Sequence, residues 1–308
     1  MASLKAIKGK IRAVDKTRQV TRAMEAVSAV KMRKSQERAL KARAYSVSAL
    51  RILKRLAGTL ESREHPLVKL KATGKFLFVV VTSDRGLAGA LNSSLLKAAA
   101  AYLTEKGISR EETEIIAIGR KGFEYFERRG YVILEHFDKT GDMPELSVLE
   151  EVGQRAIESY ISRGFNRVAV AYTNFRSTFS QEPVVREILP LNEAALREIV
   201  TGILPDKGKY SDMFGAADTL AAEEYNFEPS PERVLAELLP SLIALFLYHA
   251  ILEARASEFS ARMVAMRNAQ DKARDVSRAL NLHYNQARQS GITREVSEII
   301  GGMETLAA

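Results

Sequence analysis

Two long stretches with helical periodicity, one at each end of the chain, limit what this sequence can fold into. From Ser3 to about Leu56 there is no proline and one glycine, Gly9. Leu4, Ile7, Ile11 and Val14 fall at steps of three and four, and Leu50, Leu53, Ala57 and Leu60 repeat the pattern. Such steps line up on one helix face, and Ser3 suits the N-cap. Between Lys31 and Arg38 the apolar seam thins. A helix of roughly 55 residues would reach about 80 Å at 1.5 Å per residue. Patterns this long belong to coiled coils or helical repeats.

The second stretch begins at Pro231, with Ser230 as its expected N-cap, and closes with Ser290–Thr305. Leu235, Leu238, Leu242, Leu245, His249, Leu252, Ala256, Phe259, Met263, Met266, Gln270, Ala273, Ser277, Leu280, Tyr284 and Ala287 alternate steps of three and four. A step averaging 3.5 residues makes a left-handed coiled-coil seam. Its first part is wide and oily, suited to burial against several neighbours. Its later part is small and polar, suited to one partner helix or to a sliding surface. Pro240 is expected to kink or interrupt the helix, and Gly291 is a second weak point.

Between the helices the period changes. Lys75–Thr82 is a continuous apolar, β-branched run, as in a strand buried on both faces. Glu114–Ile118, Tyr131–Leu134, Arg167–Tyr172 and Val184–Leu189 read as further strands. Asn92–Lys106, Lys121–Arg129 and Leu146–Arg163 read as helices between them. This alternation predicts an open, largely parallel α/β sheet of Rossmann-like type. The expected division is a helix over 1–60, an α/β domain over 75–200, a loop or insertion over 201–230 and a helix over 231–308. The part from Gly202 to Phe227 is rich in Gly, Asp, Lys and Ala, as in a long loop.

Charge is unevenly spread. Residues 1–58 hold sixteen Lys and Arg against three acids, a net +13, while the other 250 residues hold thirty against thirty-five, a net −5. The basic helix therefore favours an acidic partner, whether protein, anionic lipid or nucleic acid. There is no cysteine, which excludes disulfides, thiolate metal sites and a cysteine nucleophile. The four histidines, His65, His136, His249 and His283, have no metal-ligand spacing. The most apolar stretch, Leu235–Leu252, contains Glu237, Pro240 and His249 and reads as a buried helix face, not a membrane span. The basic N-terminus lacks an apolar signal core and reads as mature protein.

The loop Thr82-Ser-Asp-Arg-Gly-Leu-Ala-Gly-Ala-Leu-Asn92 follows the first strand, where α/β folds carry their ligands. It is neither G-x-G-x-x-G nor a P-loop, and no G-x-S-x-G elbow or suitably placed histidine accompanies it. Two readings stand: a turn with Asp84 and Arg85 bonded locally and Gly86 and Gly89 supplying the tight bend, or a small-ligand or anion site. No cofactor is expected.

Four segments then match a family. They are Ile11–Gln36 (IRAVDKTRQVTRAMEAVSAVKMRKSQ), Thr82–Asn92 (TSDRGLAGALN), Ala261–Ala269 (ARMVAMRNA) and Asn285–Glu295 (NQARQSGITRE). In this order they resemble the γ subunit of F-type ATP synthases. The resemblance implies an antiparallel coiled coil of the terminal helices beside a Rossmann-like α/β domain. It further implies a non-catalytic central-stalk rotor that couples ion-driven rotation to ATP synthesis at the catalytic β subunits. The partners it implies are the α and β subunits of the ring, the ε subunit and the membrane c-ring. No nucleic acid and no direct membrane insertion are implied, and the place is the cytoplasmic side of a bacterial cell membrane. By the same resemblance Met24 lies at the neck beside acidic β loops, with Arg262, Gln289, Thr293 and Glu295 on the facing helix as coupling or interface residues. Ala88 and Ala90 stand where the family often has cysteine and glycine, which alters only loop packing. A basic coiled coil that binds nucleic acid is the alternative. It is disfavoured because the basic helix carries an apolar seam and no aromatic residue but Tyr45.

Overall fold

The computed structural model describes residues 4–56, 65–138, 141, 146–191, 195 and 230–307. Ser3 and the expected loop at 202–227 lie outside the described residues. Ten elements follow in order: α1 (Leu4–Leu56), β1 (Lys75–Val81), α2 (Leu91–Glu105), β2 (Thr113–Ile118), α3 (Arg120–Glu127), β3 (Val132–Phe137), α4 (Leu146–Ser162), β4 (Phe165–Ser177), β5 (Ser180–Leu189) and α5 (Pro231–Ala307). The chain divides into two compact units that share the terminal helices. One comprises Met1–Ser28 with Arg262–Ala308, the other Ala29–Ala261.

In the larger unit the strand order is β3-β2-β1-β4-β5. The first four strands are parallel, with Phe78 opposite Ile115 on one side and Ala169 on the other. β5 runs antiparallel to β4, closing a hairpin longer than the two expected strands. Ser177 caps its turn, accepting the Phe179 and Ser180 N–H groups at 3.3 and 3.1 Å.

β1 alternates Phe76, Phe78 and Val80 towards one face and Leu77, Val79 and Val81 towards the other, all buried. The first face packs on Leu95, Ala99 and Leu103 of α2 and Phe126 of α3. The second packs on Val152, Ala156 and Tyr160 of α4 and on Leu242, Ile243, Phe246 and Leu247 of α5. Both faces need a cover because a strand apolar on both sides has no face to give to water. The apolar start of α5 is long and apolar enough to cross a membrane by composition alone. Its large side chains are instead buried in this core.

α5 runs through Pro240 without a break. Proline in a helix interior costs about 3 kcal/mol, whereas burying each of Leu242, Ile243, Phe246 and Leu247 contributes about 1.5–3 kcal/mol. Packing wins. Ala236, whose carbonyl loses its usual partner to Pro240, is exposed. Ser230 does cap the helix, accepting the Arg233 N–H at 3.4 Å. Gly291 also continues the helix. The seam of α1 continues past Lys31 through Met32, Ser35 and Ala39, all buried. Lys31 lies 5.7 Å from the ring centre of Phe259, a cation–π distance. The seam becomes small and polar there but keeps its period.

In the smaller unit Ile7, Thr21 and Ser28 of α1 are buried at multiples of seven. Met266 and Ala273 of α5 are buried seven apart, with Ser277 beside them. The Ser277 hydroxyl donates to Asp15 Oδ1 at 3.1 Å, which fixes the register. The segments run antiparallel, so Leu4, eleven residues before Asp15, falls opposite Arg288, eleven after Ser277. Past that point Ile292, Val296, Ile299 and Ile300 of α5 are exposed.

Candidate functional site

The five residues expected at the coupling surface all belong to the smaller unit. Met24 is half-buried and its carbonyl accepts the Ser28 hydroxyl at 2.7 Å. In the Asp15–Ser277 register it stands opposite Asn268. Arg262 is buried, six residues from Asn268 along α5. Gln289, Thr293 and Glu295 are exposed. Gln289 lies twenty-one residues beyond Asn268, about 32 Å at 1.5 Å per residue. The structure therefore puts all five on one helix pair but in two groups, Met24 with Arg262 and Gln289 with Thr293 and Glu295. Gln289 and Thr293 share a shallow polar groove with Gln286, Ser290 and Arg294. The Thr293 hydroxyl donates to the Gln289 carbonyl at 3.0 Å, and Arg294 pairs with Glu298 at 3.2 Å.

The loop after β1 is a built turn. Ser83 N–H donates to Asn92 Oδ1 at 3.1 Å, Asn92 Nδ2 donates to Ser83 Oγ at 2.7 Å, and Ser83 Oγ donates to the Arg85 carbonyl at 2.6 Å. The seryl and asparaginyl groups thus tie the strand end to the first turn of α2. The left-handed positions are Leu87 (φ 65°) and Gly89 (φ 59°), so Gly86 is not the bend residue. Ala88 is buried and Ala90 accepts the Ser93 hydroxyl at 2.9 Å, so both alanines sit in ordinary turn packing.

Asp84 is not bonded locally. Its Oδ1 accepts the Arg120 N–H at 3.1 Å, at the start of α3, and its Oδ2 lies 3.8 Å from the Arg255 guanidinium on α5. A carboxylate at a helix N-terminus meets unsatisfied N–H groups and a favourable dipole. The side chain of Arg120 turns instead to Glu124, which Lys121 first and Arg120 second hold below the usual carboxylate range. Gly119 allows the close approach: its φ is 94°, and a Cβ there would collide with the Thr82 carbonyl. Arg255 and its partner Glu258, 2.8 Å apart, were invisible to motif reading. The signal available was three charges, Glu253, Arg255 and Glu258, together with Ser257, between Leu252 and Phe259 in the seam of the last helix.

In this loop Asp84 is spent on a peptide N–H and a guanidinium. Among the described residues no group of three or more His, Asp or Glu side chains could hold a metal ion.

The comparisons with known proteins decide the family. The ATP synthase family model matches residues 3–306. The ATP synthase gamma chain of Trichlorobacter lovleyi is 37% identical over 306 residues, covering 99% of both chains. That of Geotalea daltonii is 38% identical over 306 residues, with 99% of each chain covered. The chain belongs to the ATP synthase γ family. Its fold is also that of a chain from the Euglena gracilis mitochondrial ATP synthase OSCP/F1/c-ring structure in rotational state 3. The TM-score is 0.64 at 18% identity, over 98% of this chain and 94% of that one. A chain from the Tetrahymena thermophila central stalk and c-ring structure gives 0.57 at 22% identity, over 81% and 99%. As a γ-family member the chain is a non-catalytic subunit.

Proposed function

We propose that this chain is the central-stalk rotor of a membrane ATP synthase, working from the cytoplasmic side of a bacterial membrane without entering it. The observation that carries this is the end-to-end match to γ chains, with both helical ends included. Its partners are the α and β subunits of the catalytic ring, the ε subunit and the membrane c-ring. The helix pair of α1 and α5 turns inside the ring, and a side presented at one angle favours one β conformation over another. Rotation then shifts the relative binding free energies of nucleotide among the catalytic sites. The basic face of α1 meets acidic loops of the ring. Exposed pairs of this kind contribute ~0–1 kcal/mol each, enough to bias an angle without locking it. Met24 and Arg262 form one contact level of this surface, and Gln289, Thr293 and Glu295 form another.

The nucleic-acid reading has no support: the seam of the basic helix is committed to packing, and no aromatic platform accompanies the charges. Fractionation of the native membranes tests the proposal. The chain should stay with washed membranes and purify with α and β subunits after nuclease treatment. Release by nuclease, or purification free of α and β, sinks it.

A further inference from the structure

In a doubly wound sheet the ligand crevice opens at the carboxyl ends of the strands where the order reverses. Here that point lies between β1 and β4. It is occupied by α5. We infer that the polar row Glu253–Ser260 of α5 is a rotational lock, which fixes the angle of the last helix against the α/β sheet so that torque passes between them. The inference rests on the rotor reading and names the residues through which this chain would carry load.

The row is unusual in composition. Glu253, Arg255 and Glu258 are 4%, 4% and 6% exposed, and Ser257 and Ser260 are fully buried. Buried charges of this kind are costly unless paired and hydrogen-bonded. Each of the five reaches a defined partner. Glu253 Oε2 accepts the Phe175 N–H at 3.0 Å. Phe175 stands where the β4–β5 register is irregular, so its N–H is available. The Ser257 hydroxyl donates to the Thr173 carbonyl at 3.0 Å. Thr173 stands opposite Pro183, which has no N–H to offer. Ser260 donates to the Thr178 carbonyl at 2.7 Å, and Gln181 Nε2 donates to Ser260 at 3.4 Å. Arg255 lies between Glu258 at 2.8 Å and Asp84 at 3.8 Å, and Asp84 in turn holds the start of α3. One helix is thereby tied to the ends of β1 and β4, to their following turns, and through Asp84 to the turn after β2.

Apolar burial is non-directional as a driving force, and the helix angle it sets depends on side-chain interdigitation alone. Hydrogen bonds and charge-assisted pairs depend steeply on distance and angle, so they resist rotation. The apolar half of α5, before Glu253, anchors the helix. The polar half sets its angle.

The test uses the complete assembled enzyme in sealed vesicles, with ATP hydrolysis and ion pumping measured together as the opposing gradient is raised. Wild type must pump in proportion to hydrolysis; if it does not, the rotor reading itself fails. Arg255→Met should hydrolyse ATP at the wild-type rate without a gradient and lose roughly tenfold of its pumping-to-hydrolysis ratio against a full one. Arg255→Lys, which keeps the charge, should recover most of the ratio. If Arg255→Met does not assemble, the Ser257→Ala, Ser260→Ala double variant replaces it, with the same loaded and unloaded readings. A ratio equal to wild type under load overturns the lock, and so does an equal loss with and without load.

Discussion

At the scale of single residues, placement changes what a side chain is for. Asp84 reads as a candidate ligand group by its position after a strand, yet it ends on the Arg120 N–H and the Arg255 guanidinium. Asp84→Ala removes the acceptor of the Arg120 N–H and the more distant carboxylate of Arg255, which keeps Glu258 at 2.8 Å, a loss of about 1–3 kcal/mol. The expected outcome is a lower melting temperature or poorer assembly, with ATP turnover per assembled complex unchanged. Thermal denaturation and turnover measured on the same preparation check this. Met24 is half-buried, so Met24→Lys can reach solvent and, on the proposed reading, an acidic loop of the ring. A charged hydrogen bond there contributes ~1–3 kcal/mol and holds one rotor angle above the rest. Hydrolysis should persist while pumping falls, and an unchanged ratio of the two sinks the idea. His65 Nδ1 accepts the Leu67 N–H at 3.2 Å, which requires the neutral ring, and burial lowers its pKa from 6.5. Because the unfolded histidine binds its proton first, stability contributed by neutral His65 is present above pH 6.5 and is lost as pH falls below it. His65→Asn should flatten that part of the stability–pH curve, as denaturant midpoints at several pH values would show.

At the scale of elements, the two halves of α5 are held by different neighbours. Residues up to Ala261 belong with the sheet, and those from Arg262 belong with the start of α1. Deleting residues after Tyr284 removes only helix from the smaller unit. The α/β unit should keep its cooperative unfolding transition, because Leu242–Ala250 and the polar row remain. Torque transmission or assembly should weaken. Loss of the whole transition, seen by calorimetry, would show that the sheet depends on the distal helix.

At the scale of the molecule, a sheet with a vacant switch point would be a nucleotide-binding domain, and this one is closed by its own helix. The purified chain should neither hydrolyse ATP nor bind it tightly. Titration calorimetry checks this, and tight binding would reopen the crevice as a ligand site. The distinction matters for coupling, since a rotor that bound nucleotide itself would add a conformational dependence on ATP outside the catalytic ring.

Much of this was legible in the order of residues. The seam from Leu238 to Ala287 and the alternation in Phe76–Val81 depend on the fixed 3.6- and 2-residue periods of helix and strand, which are local properties. So do the cap at Ser230 and the family motifs in their order. The sequence could not say that α5 passes Pro240 unbroken, because that outcome weighs a local penalty against apolar burial supplied by a sheet whose last strand ends at Leu189. Nor could it pair Asp84 with Arg255, or divide the five candidate coupling residues into two groups along the helix pair. Those follow from which helix faces which strand end and from one register contact, Asp15 with Ser277. Such contacts join residues distant in the chain, and no local period encodes them.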